Sequence, residues 1–154
     1  MLSVLSPVTG TAVGLEEVPD PVFAQGMVGP GTAIRPEPGL QTAVSPVDGR
    51  VVKLHPHAFV VVGAADGNGN GGKGVLVHLG IDTVRLDGKG FTALVAEGDD
   101  VVAGQDLIRW NPTDVLEGGL SPIVPVIALD AVGDVVSRPV TGEVNRGALL
   151  FQWA

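Results

Sequence analysis

Cysteine and tyrosine are absent from this 154-residue chain, and histidine occurs only three times. Without cysteine there is no disulfide, no thiolate metal ligand and no thiol nucleophile. Nothing therefore points to an oxidising compartment. Basic side chains are scarce as well: 9 against 17 acidic ones, for a net charge of −8. That balance argues against nucleic acid as a partner, because such binding is driven largely by phosphate neutralisation. It favours partners with a basic face. No apolar run approaches the ~20 residues of a membrane-spanning helix. The opening MLSVLSPVTG has neither a positive n-region nor a long apolar core, so it does not read as a signal peptide. The expectation is a soluble cytoplasmic protein with no direct membrane insertion. At this length a single domain over residues 1–154 is expected. A domain of this size buries about 70% of its unfolded surface and needs no disulfide or metal to fold.

Glycine (23) and proline (12) punctuate the whole length. Between them lie short valine-rich runs at Ala43–Val47, Val51–Leu54, Phe59–Val62, Val75–Leu79 and Ile123–Ala128. Short runs with regular turn signals predict an all-β fold, an antiparallel β-sandwich or barrel. Helical periodicity is poor; Pro112–Glu117 is the one stretch that suggests a helical turn, ended by Gly118 and Gly119. Ser6-Pro-Val-Thr-Gly10 recurs as Ser45-Pro-Val-Asp-Gly49 and, in part, as Pro139-Val-Thr-Gly142. The irregular spacing excludes a solenoid and suggests one hairpin element, turning at its glycine, used repeatedly.

The segment Asp66–Gly74, DGNGNGGKG, separates a strand carrying His57 to Val62 from one carrying Val75 to His78. The simplest arrangement is an antiparallel hairpin with a long mobile tip, centred near residues 67 to 70. His57 and His78 then lie at the same end. Alternation sends Val75, Val77 and Leu79 to the core and Leu76, His78 and Gly80 the other way. It also puts His55 and His57 on one face of their strand. Gly80 leaves the surface open beside the imidazole, and Asp82 can orient a ring nitrogen or face a partner.

A lone histidine in a β protein is most often a half-buried polar residue. Two that converge beside a glycine and an aspartate point to a site. Neutral imidazole is a nucleophile, a base and a metal ligand. As a nucleophile it can take a phosphoryl group and pass it on. That needs a lone pair on the attacking nitrogen, a donor on the other, and a neighbour that donates to the phosphoryl oxygens. An apolar rim would exclude water, with Phe23, Val28, Phe59 and Leu76 as candidates. As metal ligands, His55-Pro-His57 and His78-Leu-Gly-Ile-Asp82 have the H-x-H and H-x-x-x-D spacings of zinc hydrolases.

Val77-His78-Leu79-Gly80-Ile81-Asp82-Thr83-Val84, followed by Gly88-Lys89-Gly90-Phe91, resembles the signature of the glucose-family enzyme IIA of the bacterial phosphoenolpyruvate-dependent sugar phosphotransferase system. Pro19-Asp-Pro-Val-Phe-Ala24, Val28-Gly29 through Ile34-Arg-Pro36, Ser45–Gly49, His57-Ala-Phe59 and Glu97–Gly104 agree in order, so the resemblance runs from about residue 3 to 150. It implies an antiparallel sandwich of the duplicated hybrid motif type and a phosphocarrier that needs no cofactor. His78 would accept phosphate from phosphohistidine HPr, and His57 would support it. Asp82 would lie at the rim where HPr docks, and His55, Gly80, Phe59 and Val28 would support the site or the docking face. The phosphate would pass to a cysteine of an enzyme IIB domain of a sugar permease. Regulatory protein partners would sense the phosphorylation state. The chain departs from the family in having His55 where threonine is common, Pro30 in the docking loop, and Leu79 for the commoner phenylalanine.

Two other readings compete. A LytM-type zinc peptidase would use His57, His78 and Asp82, and Gly98–Gln105 resembles a stretch such enzymes carry. The order of its two histidine motifs is reversed here, however. The phosphocarrier itself requires no metal, although the paired His57 and His78 can pick up zinc adventitiously. A lipoyl- or biotinyl-type carrier would need an exposed lysine at a hairpin tip; only Lys73 lies in such a segment, without the flanking pattern.

Overall fold

The computed structural model describes every residue except 66 and 68. Its strands, in chain order, are β1 (Leu2–Leu5), β2 (Gly10–Val13), β3 (Gly31–Pro36), β4 (Gln41–Val44), β5 (Gly49–His55), β6 (Ala58–Gly63), β7 (Gly74–His78), β8 (Thr92–Ala93), β9 (Asp100–Val101), β10 (Asp106–Trp110), β11 (Val124–Ala128), β12 (Val136–Ser137), β13 (Gly142–Val144) and β14 (Leu149–Trp153). They form an eight-stranded sheet in the order β13-β2-β3-β11-β7-β6-β5-β9 and two three-stranded sheets, β1-β14-β12 and β4-β10-β8. The pairings are antiparallel throughout. Among the described residues helix is confined to α1 (Pro21–Ala24), α2 (Pro112–Glu117) and two 3-10 turns, Leu15–Glu17 and Thr83–Leu86. The all-β expectation holds, and so does the helical turn at Pro112, capped by Asn111 and closed at Gly118.

The large sheet has two differently used faces. Phe59, Val61, Val75, Val77, Val124 and Val126 point into the main core, sealed by residues of the smaller sheets such as Leu107, Trp110, Leu150 and Phe151. The other face carries a smaller cluster of Ala33, Ile81, Ile123 and Ile127, covered by Val18 and Phe23 from the segment around α1. β11 is therefore apolar on both sides, as a central strand must be. Its Pro125 cannot donate to a ladder. The β11–β7 pairing stops beside it, at Val126↔Val77, which releases β7 from the sheet immediately after His78.

The repeated pentapeptide does something other than turn a hairpin. Ser6 and Ser45 each bond forward with their hydroxyl, to the Val8 and Val47 carbonyls at 2.7 Å. Leu5 N–H donates to Pro46 O and Val44 N–H to Pro7 O, both at 2.9 Å, so the two copies interlock as a reciprocal pair. Gly10 and Gly49 then begin β2 and β5 against a neighbouring backbone. A Cβ there would lie 2.1 Å from Arg35 O and 2.0 Å from Val62 O. The glycines are required by close approach, which is the correction to the turn expected from sequence. The Pro139 copy lacks the serine and takes no part in this exchange; Val140 N–H instead meets Leu150 O at 2.8 Å.

Candidate functional site

The β6–β7 register places the histidines. Ala58 pairs with His78 and Val62 with Gly74, a centre at residue 68, within the range the sequence gives. Asp66 and Asn68, part of the expected tip, lie outside the described residues. Burial fixes this register: Val75, Val77 and Leu79 are fully buried, each worth about 1.5–3 kcal/mol. A one-residue slip would expose all three and drive Leu76 and His78 into the core.

His57 is not on a strand with His55. His55 ends β5 and pairs with Ala58, so Pro56 and His57 form the two-residue turn between β5 and β6. The turn folds the rings back together, stacked at 22° with centroids 5.8 Å apart. From there His57, buried, presents an edge to His78, with centroids 5.0 Å apart and planes at 65°. Leu79 N–H donates to His57 O at 2.7 Å and clamps the turn to the end of β7.

The half-buried His78 ring is held on two more sides. Phe23 lies 5.5 Å away at 58°, brought there by α1, whose cap is the Asp20 carboxylate accepting from Val22 N–H at 2.9 Å. The Nδ1 atom forms a short hydrogen bond with the Gly80 carbonyl. A carbonyl can only accept, so Nδ1 carries the proton and Nε2 keeps its lone pair. Gly80 adopts φ +85°, and a Cβ would sit 2.6 Å from the Thr83 methyl and 3.0 Å from Ser121 O. Glycine is thus needed to aim a carbonyl at the imidazole; the missing side chain would point inward, not across the open face as the sequence suggested. The buried Thr83 hydroxyl donates back to Leu79 O at 3.0 Å and braces this bend.

Burial lowers the His78 pKa below its usual range; the Gly80 hydrogen bond and the Asp20 and Asp82 carboxylates oppose that shift, while His55 adds to it. His57 is pushed down to about 4, by burial first and then by repulsion from His78 and His55. Both rings are consequently neutral at pH 7, one with an anchored N–H and a free lone pair, the other beside it. That arrangement suits nucleophilic capture of a phosphoryl group.

Of the other expected residues, Asp82 is exposed on the loop after β7, with φ +60°, and Val28 and Leu76 are half-buried against the smaller cluster. Phe59 is not at the site's rim. It pairs with Val77, faces the main core, and is 1% exposed. Sequence reading missed Thr83, and it missed Asp20 as a charge facing His78; the Pro19-Asp20-Pro21 cap signature would have placed the latter at a helix start. Among the described residues no group of three or more histidine, aspartate or glutamate side chains is arranged to hold a metal ion. Lys73 lies with its ammonium 5.6 Å over the Trp153 ring and bonded to Asn70, unlike an attachment lysine. No helix among the described residues is long and apolar enough to cross a membrane.

Residues 2–132 match the family described as phosphoenolpyruvate-dependent sugar phosphotransferase system, EIIA 1. The chain is 40% identical over 148 residues to the PTS system glucose-specific EIIA component of Oceanobacillus iheyensis, covering 95% of this chain and 86% of that protein. It is 38% identical over 150 residues to the PTS system glucoside-specific EIICBA component of Staphylococcus carnosus, covering 96% of this chain and 20% of that longer protein. Glucose permease IIA from Mycoplasma capricolum superposes with a TM-score of 0.86 at 34% identity, over 97% of this chain and 94% of that one.

Proposed function

This chain belongs to the EIIA 1 family of the phosphoenolpyruvate-dependent sugar phosphotransferase system and is a phosphoryl carrier; on that premise we propose that His78 Nε2 is the atom that carries the group. The observation that supports it best is the Gly80 carbonyl on Nδ1. With that proton fixed, Nε2 attacks the donor phosphorus. The donor's N–P bond breaks as the Nε2–P bond forms, and no proton has to leave. The product pairs a dianionic phosphoryl with an imidazolium whose N–H still rests on Gly80. His57 donates to the phosphoryl oxygens, a charge-assisted bond that strengthens as the group arrives. Phe23, Val28 and Leu76 supply the apolar border that keeps water from the bond.

The donor is a phosphohistidine of HPr, whose basic face meets Asp20 and Asp82. The acceptor is a cysteine of an enzyme IIB domain. The Staphylococcus carnosus relative, in which an EIIA unit is one part of an EIICBA chain, supports such a partner. Glucose, named in the Oceanobacillus relative, is the first sugar to test. The exchange takes place in the cytoplasm, where phosphoenolpyruvate and HPr are found.

Incubation with phosphoenolpyruvate, enzyme I and HPr, followed by intact mass, tests the reading. One phosphoryl group, labile to acid and stable to base, is expected on the native protein and none on His78→Ala. Normal loading of the His78→Ala protein would refute it.

A further inference from the structure

Three imidazoles stand in a row across the joined ends of β5, β6 and β7. His78 meets the edge of His57 at 5.0 Å, and His57 stacks on His55 at 5.8 Å. The members differ in solvation: His78 is half-buried against Phe23, His57 is buried, and His55 is exposed at the last position of β5. The charged groups facing the row are Asp20 and Asp82 on the His78 side. At the other end Glu97 accepts from Leu54 N–H, next to His55, and Asp87 and Lys89 flank Gly88, which abuts Pro56.

We propose that His55 is a positioning residue for phosphoryl transfer: it holds, on the solvent side of His57, the proton that the row takes up when His78 is loaded. This inference rests on the reading that His78 carries the group. In the unloaded protein burial discourages charge on His57 and His78, and repulsion from the neighbouring rings adds to it. Transfer adds one net negative charge to the row, because the N–P bond made on Nε2 replaces the one broken on the donor while the Nδ1–H stays on Gly80. The field along the row then reverses sign. His57 turns an N–H to the phosphoryl oxygens, but a full charge on this buried ring costs desolvation. The exposed His55 accepts the proton at lower cost, and its stack keeps the His57 plane in place. It touches neither the phosphoryl group nor the donor and acts through His57.

The equilibrium constant for loading from phospho-HPr, measured at pH 6 and pH 8 for the native protein and for His55→Gln, tests this. The donor's own pH dependence cancels in the ratio. The native constant should exceed the variant's about threefold at pH 6, from one partly screened charge pair, and equal it at pH 8. A ratio identical at both pH values, whether one or some other figure, would give His55 a purely structural role and overturn the proposal. A second readout needs no variant. At a fixed pH of 7 the ¹⁵N resonances of the native His55 ring should move toward the imidazolium pattern on loading; unchanged resonances would also overturn it. Failure of the native protein to load at all would instead sink the underlying assignment of His78.

Discussion

The two faces of β7 share five residues and nothing else. Inward, Val75 and Val77 are sealed in the main core with Phe59 and Val61. Outward, Leu76 and His78 lie half-buried over the smaller cluster, beside Phe23 and His57. The inner face has no chemistry, yet it decides where the chemistry is. Its burial fixes the register, and the register puts His78 opposite Ala58, one residue from His57. The outer face contributes less to stability and is free to hold a half-buried reactive ring between Phe23 and His57. The division is of labour within one strand: positioning on one side, transfer on the other.

Adjacent substitutions on β7 should separate the two faces most sharply. Val77→Asp buries an uncompensated carboxylate and should cost about 4 kcal/mol or more, read as loss of cooperative unfolding. His78→Ala should leave the thermal midpoint within a few degrees and abolish loading. Comparable stability losses in both would erase the distinction. Gly80→Ala joins the faces, since its Cβ at φ +85° meets the Thr83 methyl. Both a stability loss of about 2 kcal/mol and slowed loading are expected, checked by denaturant melts and single-turnover rates.

His57→Gln sharpens the outer face itself. An amide can still donate to the phosphoryl oxygens, so loading from HPr should persist. An amide cannot exchange a proton with the neighbouring ring as an imidazole can, so onward transfer to the IIB cysteine should fall about 100-fold. Unimpaired onward transfer in a rapid-quench assay would remove His57 from the transfer step.

The smallest effect is on the pH dependence of stability. His57 sits at about 4 in the folded protein against the ordinary imidazole value of 6.5. Between those values the unfolded chain binds more protons, so stability falls as pH drops through that window and is unaffected above it. The thermal midpoint should be lower at pH 5 than at pH 7, and His57→Gln should narrow the gap by about 2–4 °C. The lowered His78 pKa acts in the same direction. It also means that loading rates should stay level from pH 8 to below pH 6.5 before declining.

Much of this was legible in the chain. Valine alternation around His78 gave the correct faces, and the glycine-rich break gave the hairpin centre, because burial of one face specifies both. Three features were not legible. Phe59 looked like a rim residue because its strand is apolar at successive positions, which leaves the facing ambiguous until the pairing partner is known. His57 read as a strand residue because a Pro-His turn lacks the glycine or asparagine that marks most two-residue hairpin turns. Gly80 read as an opening because a sequence shows that a side chain is missing but not the direction in which it would have pointed. The interlocked Ser-Pro-Val-x-Gly copies were visible as a repeat; their exchange of hydrogen bonds, Leu5 to Pro46 and Val44 to Pro7, depends on a tertiary contact between segments far apart in the chain.

The central claim is that the Gly80 carbonyl, by holding the Nδ1 proton, chooses the nitrogen that reacts. The most direct measurement is ¹⁵N and ³¹P NMR of the loaded protein with labelled histidine. A phosphorus coupled to Nε2 of His78, with Nδ1 still protonated, is the expected result. Phosphorus on Nδ1, or on the ring of His55 or His57, would contradict the account.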